Sequence, residues 1–199
     1  IEISNETTTV LIDLNIGGRV IEYSFNDNNV MFRYSSENES KFNMIGPDGG
    51  RCDFGPEMIV PSRDEIWLGE WELVEKNMYY IKIKSQIAKT AGVQLFREFW
   101  LDENSSQLKF KQTIQNISNE LKRYCHWSRT FAEAGGICLI PLNSESRFPK
   151  GYIVYTPDHK MDYKPDEDKN ERTRDGILEI TGPPKFPKHV ADISDGWLA

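Results

Sequence analysis

Hydrophobic and polar residues alternate along most of this chain, and no long stretch keeps helical spacing. Val10, Ile12 and Leu14 alternate with Thr9 and Asp13. After the turn signal Gly17-Gly18, Ile21, Tyr23 and Phe25 share a face opposite Glu22 and Ser24, and Asn26 to Asn29 reads as a hairpin turn. Tyr79, Ile81 and Ile83 alternate with Lys82 and Lys84. Val93, Leu95 and Phe99 follow, then Leu108, Phe110 and Ile114, with Glu103 to Ser106 as the turn between them. Further strands are expected over Tyr124–Phe131, Ile137–Leu142, Tyr152–Tyr155 and Ile177–Ile180. Short strands at this spacing predict an all-β chain, an antiparallel sandwich or barrel.

Size and charge narrow the picture. The 199 residues fit one domain spanning 1–199, with no internal repeat and no linker to divide it. Hydrophobic residues at 38% supply a sizeable core and exclude wholesale disorder. A net charge of −7 argues against nucleic acid or an anionic membrane surface as the main partner. No apolar run approaches the roughly 18 residues a membrane helix needs. The three cysteines, Cys52, Cys125 and Cys138, are too few for a disulfide scaffold. The chain opens on Ile1 without a Met and stops at Leu198-Ala199, so both ends are expected to be trimmed. The polar run Asp158–Asp175 is dense in both charge signs and reads as a solvated excursion, with an active-site lid as the alternative.

Two segments could carry chemistry. Met44–Trp71 is rich in Gly, Pro and charge yet holds Phe54, Met58, Trp67 and Trp71, the composition of an ordered loop. Gly49-Gly50 would let backbone approach a ligand closely, with Arg51, Asp53 and Glu57 projecting polar groups nearby. The alternative is a structural crossover whose arginines and carboxylates pair with each other. The string from Gly49 to Gly55 lacks the spacing of a phosphate loop.

The second segment is Arg123–Gly136. On a strand, Tyr124, His126 and Ser128 face one way and Cys125, Trp127, Arg129 and Phe131 the other. Alone, His126 reads as a core histidine. Trp127 and Arg129 beside it, with Glu133 following, suit a polyol: aromatic faces take sugar C–H surfaces and charged forks take hydroxyl pairs. Cys125 beside His126 is no dyad, because strand neighbours point to opposite faces. His159 and His189 read as surface residues. No histidine–carboxylate cluster has ligand spacing, so neither a catalytic metal nor a cofactor is expected.

Taken in order, these pieces resemble the galactose-mutarotase-like superfamily. Leu14–Phe32 (LNIGGRVIEYSFNDNNVMF) resembles its opening strands, and Gly46–Glu57 (GPDGGRCDFGPE) the Gly-Gly loop that introduces the sugar-binding face. Gly92–Glu120 resembles the paired strands before the central histidine strand, and Cys125–Thr130 (CHWSRT) falls where mutarotases carry a catalytic histidine. The tail from Gly135 to Tyr155 is most similar to a branch of the superfamily known as a domain of unknown function. The departures are Gly49-Gly50 preceded by Asp48 and followed by Arg51, which leaves the family's HGG-type histidine without a match, and Trp127-Ser128-Arg129 after the histidine.

The resemblance implies an antiparallel β-supersandwich, truncated at the C-terminus, that takes a sugar or oligosaccharide ligand. It implies two readings of function. In an aldose 1-epimerase-like isomerase, His126 would be the acid at the ring oxygen. The base would be a carboxylate from a late strand beyond this chain or Glu57. Arg51, Asp53 and Arg129 would then orient hydroxyls while Trp67 or Trp127 stacks on the sugar, with Arg51 and His126 on one concave face. The second reading is a non-catalytic carbohydrate-binding or accessory domain of a polysaccharide-degrading system. A polysaccharide lyase or hydrolase relative, with an Arg-rich groove for uronates, is a third possibility.

Overall fold

The computed structural model describes residues 1–33, 49–193 and 198. Within them the chain is all-β, with antiparallel pairing throughout, and comprises two compact units, Ile1–Glu133 and Ala134–Ala199.

The first unit is a two-sheet sandwich. One sheet runs in the order β1 (Glu2–Ser4), β2 (Thr8–Asp13), β3 (Arg19–Phe25), β5 (Gly50–Gly55) and β10 (Cys125–Thr130), with β4 (Asn28–Asn29) also on β3. The other is β6 (Glu72–Lys76), β7 (Tyr80–Lys84), β8 (Val93–Leu101) and β9 (Leu108–Asn116). Period-two alternation decides which side of each strand is buried. Thr8, Val10 and Ile12 point inward from β2, as do Ile81 and Ile83 from β7 and Val93, Leu95, Phe99 and Leu101 from β8. These rows meet Ile3 and Phe54 in one core.

Local turn chemistry closes the hairpins as expected. Asn26 and Asp27 both take positive φ (47° and 63°), the pair of left-handed residues a tight β-hairpin needs, and Phe25 pairs with Asn28 across them. The segment expected to be a loop behaves differently. Gly50–Gly55 is strand β5, paired along its whole length with β10. A short helix, α1 (Asp64–Trp67), follows it. Met44 to Asp48 lie outside the described residues.

One inward residue of β8 is charged. Arg97 is 3% exposed, and its guanidinium donates to the carbonyls of Gly17 and Gly18 (both 2.7 Å) and of Cys52, and to Gln112 Oε1 (3.0 Å). It also stacks on Trp71 at 4.0 Å. Burial pushes it down to about 10, which leaves it charged at neutrality. A side chain from one sheet thereby fastens the backbone of the other.

In the second unit, β11 (Cys138–Pro141), β15 (Ile177–Ile180) and β14 (Glu171–Arg174) form one sheet. β13 (Met161–Asp162), β12 (Tyr152–Tyr155) and β16 (His189–Ala191) form another. Ile140, Tyr152, Val154 and Leu178 make its core. The charged run Asp158–Asp175 is thus not a plain solvated excursion, since β13 and β14 lie in it. Arg172 and Arg174 pair there with the buried Glu179, Arg174 Nη2 at 2.7 Å. His189 is not a surface residue either. Its side chain is 6% exposed, and Nε2 sits 2.9 Å from Glu171 Oε1.

Candidate functional site

Strands β5 and β10 carry most of the sequence candidates, and their register decides which can act together. Arg51 lies opposite Arg129 and Asp53 opposite Trp127, while Phe54 lies opposite His126 and Cys52 opposite Ser128. Directly paired residues share a face. Arg51, Asp53, Trp127 and Arg129 therefore form one row, directed away from β8 and β9. Cys52, Phe54, His126 and Ser128 form the row facing them. The expectation that Arg51 and His126 line one concave face is overturned: the sheet stands between their side chains.

The outward row builds a cluster around α1. Trp67, on that helix, has the Arg51 guanidinium 4.4 Å from its ring centroid and the Arg129 guanidinium 5.5 Å away. Arg51 Nη1 also donates to the Trp67 carbonyl at 3.4 Å. Asp53 is held by Arg63, a residue not anticipated from the sequence, through Nε to Oδ1 (3.0 Å) and Nη2 to Oδ2 (2.6 Å). Asp53 Oδ1 further accepts the Phe54 N–H at 2.8 Å. Arg51 and Asp53 are both buried, so they position Trp67 and Arg63 from beneath.

Above them lies an accessible layer. Arg129 Nη2 bridges Glu57 Oε2 at 2.7 Å, and that hydrogen bond holds the Glu57 carboxyl below the usual glutamate range. The Arg129 guanidinium lies 5.9 Å from the Trp127 ring, and Trp127 is 38% exposed. The Arg63–Asp53 pair is of the kind the crossover alternative for the loop describes, whereas Glu57 takes its arginine from β10. Gly49 likewise serves packing: its φ is +63°, and a Cβ there would come within 2.2 Å of the Val20 carbonyl oxygen. That glycine admits the neighbouring strand rather than a ligand.

On the inward side, His126 borders a groove of about 410 Å³ with Gln112, Asn116, Lys122 and Tyr124. Gln112 fixes the ring. Its Oε1 accepts from Arg97, so its Nε2 donates, to the Asp53 carbonyl at 2.9 Å and toward His126 Nδ1 at 3.3 Å. The Nδ1 edge of the imidazole thus faces the Gln112 amide. No carboxylate stands among the residues lining this groove. Glu57, committed to Arg129 on the other side, does not meet His126. Cys125 and His126 point to opposite faces, as strand alternation requires.

The sequence signal for the missed residues was real but indirect. Arg97 interrupts the inward row Val93, Leu95, Phe99 and Leu101, and a cation in such a row must find acceptors. Gln112 lies directly opposite it on β9. No family model matches this chain, and neither a curated protein nor a solved structure matches it.

Proposed function

We propose that this chain is a carbohydrate-recognising domain of the galactose-mutarotase-like type, and that it binds sugar on the outward face of β5 and β10. Recognition is proposed there without chemistry at the anomeric centre. One observation carries the reading: Trp127 offers an exposed ring beside the Arg129–Glu57 pair, on the face that lacks His126. An indole face takes the C–H surface of a pyranose, and a partly exposed Arg–Glu pair offers both donors and acceptors to its hydroxyls.

Ring opening with Glu57 as the base makes a demand that this arrangement does not meet. A base at the anomeric hydroxyl and an acid at the ring oxygen act on neighbouring atoms, so both must reach one ring. Glu57 and His126 lie on opposite sides of the sheet. Calorimetric titration with neutral mono- and oligosaccharides tests the proposal. Saturable binding that Trp127→Ala weakens by about tenfold or more, near 1.4 kcal/mol, is the expected result. Polarimetry on freshly dissolved sugar should show only the spontaneous rate. Acceleration that vanishes in His126→Ala would replace recognition by the epimerase reading, and absence of binding to any sugar would sink both.

A further inference from the structure

The strands that turn Trp127 and Arg129 outward present a different surface inward. Cys52 and Ser128 stand side by side on it, with Thr130 two residues further along β10. Facing them across the sandwich are Phe99 on β8 and Leu108 and Phe110 on β9. The space between the two layers is a cavity of about 210 Å³, with Val20 on its wall. Phe110 packs on Phe99 at a centroid distance of 5.1 Å, yet it is 41% exposed although it belongs to the inward row. An apolar ring in that position lacks partner atoms on its other side.

The polar groups that reach the wall fix the chemistry of an occupant. Arg97 spends its donors on the carbonyls of Gly17, Gly18 and Cys52 and on Gln112. The Tyr23 hydroxyl donates to the Ser106 carbonyl. Arg51 also lies on the wall, but its guanidinium stacks on Trp67 and donates to that residue's carbonyl on the outward side. Both arginines are thus engaged elsewhere, and the rest of the wall is largely apolar. Ser128 and Thr130, both exposed, place hydroxyls at the mouth. The Cys52 thiol, which burial pushes up, hydrogen-bonds with Ser128 just inside.

We infer that this cavity is a binding site for a small, uncharged, mostly apolar molecule with a single hydroxyl end, the size of a two-ring aromatic alcohol. A cavity of about 150 Å³ lined by Leu, Ile and Phe takes benzene. The larger space here has room for a second ring, and the hydroxyl faces Ser128 and Thr130. The inference stands apart from the proposed sugar face, because it uses the opposite row of the same two strands.

Naphthol is a suitable probe, and naphthalenesulfonate tests the exclusion of charge. Titrated into the intact chain near neutral pH, naphthol binds saturably, and the sulfonate binds at least about tenfold more weakly, because the Arg51 and Arg97 guanidiniums are already engaged elsewhere and the anion loses hydration. Ser128→Phe plugs the mouth from an exposed position and weakens naphthol about tenfold or more, whereas Trp127→Ala leaves it unchanged. Alkylation provides a second readout on the unaltered protein, independent of whether the variant folds. Naphthol slows modification of Cys52, resolved by peptide mass, and leaves Cys125 on the outward row unaffected. The inference is overturned by any of three results: no saturation, sulfonate bound as well as naphthol, or naphthol binding lost in Trp127→Ala with Cys52 still reactive.

Discussion

Replacing Arg97 with methionine tests whether the guanidinium holds the two sheets together. Methionine keeps an unbranched stem against the Trp71 ring and removes the charged head. Three carbonyls, of Gly17, Gly18 and Cys52, then lose their donor. An unpaired buried acceptor costs about 1–3 kcal/mol, so at a middle value the three together cost about 6 kcal/mol. Loss of the contact with Trp71 at 4.0 Å adds about 1 kcal/mol. Acting the other way, the charge no longer has to be buried. Its pKa is drawn down from the ordinary 12.5 to about 10. At about 1.36 kcal/mol per unit of pKa, relief of that penalty returns about 3 kcal/mol. The net expectation is a destabilisation of about 4 kcal/mol. With a urea slope of about 2 kcal/mol per molar, the unfolding midpoint falls by about 2 M. Coupling offers a check on mechanism: Arg97→Met and Gln112→Leu should be strongly non-additive, because the Gln112 amide is oriented by Arg97. A midpoint within about 0.5 M of the parent would show that water satisfies the carbonyls, and a raised midpoint that burying the charge costs more than its bonds return; either refutes the reasoning.

Two further outcomes follow from single contacts. Gly18 has φ +56° and a Cβ there would lie 2.5 Å from Trp71 Cδ2, so Gly18→Ala combines left-handed strain with overpacking. A loss of about 3 kcal/mol, or roughly 10 °C in melting temperature, is expected, and an unchanged melt would contradict it. Glu57 titrates below the ordinary 4.5 when folded because Arg129 hydrogen-bonds to it. A folded pKa below the unfolded one means that the pair is fully in place above the ordinary value and is lost as pH falls through the lowered one. Fluorescence of Trp67 and Trp127 should therefore change only on acidification below about pH 4.5, and Glu57→Gln should abolish that change. A transition centred above that value would show that Arg129 does not hold the carboxylate.

The elements that could be read from the sequence are those whose signal is local. The Asn26-Asp27 hairpin announces itself in four residues, and the alternation of β2, β7 and β8 records one buried face directly. Strand β5 was hidden because it does not alternate: Arg51 and Asp53 are buried outward under Trp67 and Arg63, while Phe54 is buried inward. Strand β14 was hidden because all four of its residues are polar, and its arginines answer to Glu179 on the next strand. The residue types of the candidate site were visible, but their assembly was not. Parity along β10 correctly separates His126 from Trp127. Whether Arg51 falls with one or the other depends on the register between strands more than seventy residues apart, which no local pattern encodes.

That register also bears on which chemistry the strand pair can support. Tyr124 packs on Phe54 at 4.9 Å, and Gln112 reaches from β9 to the Asp53 carbonyl, so the inward row of β10 is pinned against both sheets. Slipping β10 by one residue would carry His126 to the outward row beside Glu57, but it would also drive Trp127 and Arg129 inward. There the indole would fall on the row that faces Phe110, and the guanidinium would lose the Glu57 carboxylate it now pairs with. The observed register keeps the pairing of Arg129 with Glu57 and the packing of Tyr124 on Phe54. On the proposed reading, a sugar resting on Trp127 would meet Arg129 and Glu57 but not His126, and a ligand reaching His126 would meet Gln112, Asn116 and Lys122 instead. On that reading, no single pyranose would draw on both His126 of one face and the Glu57 carboxylate of the other.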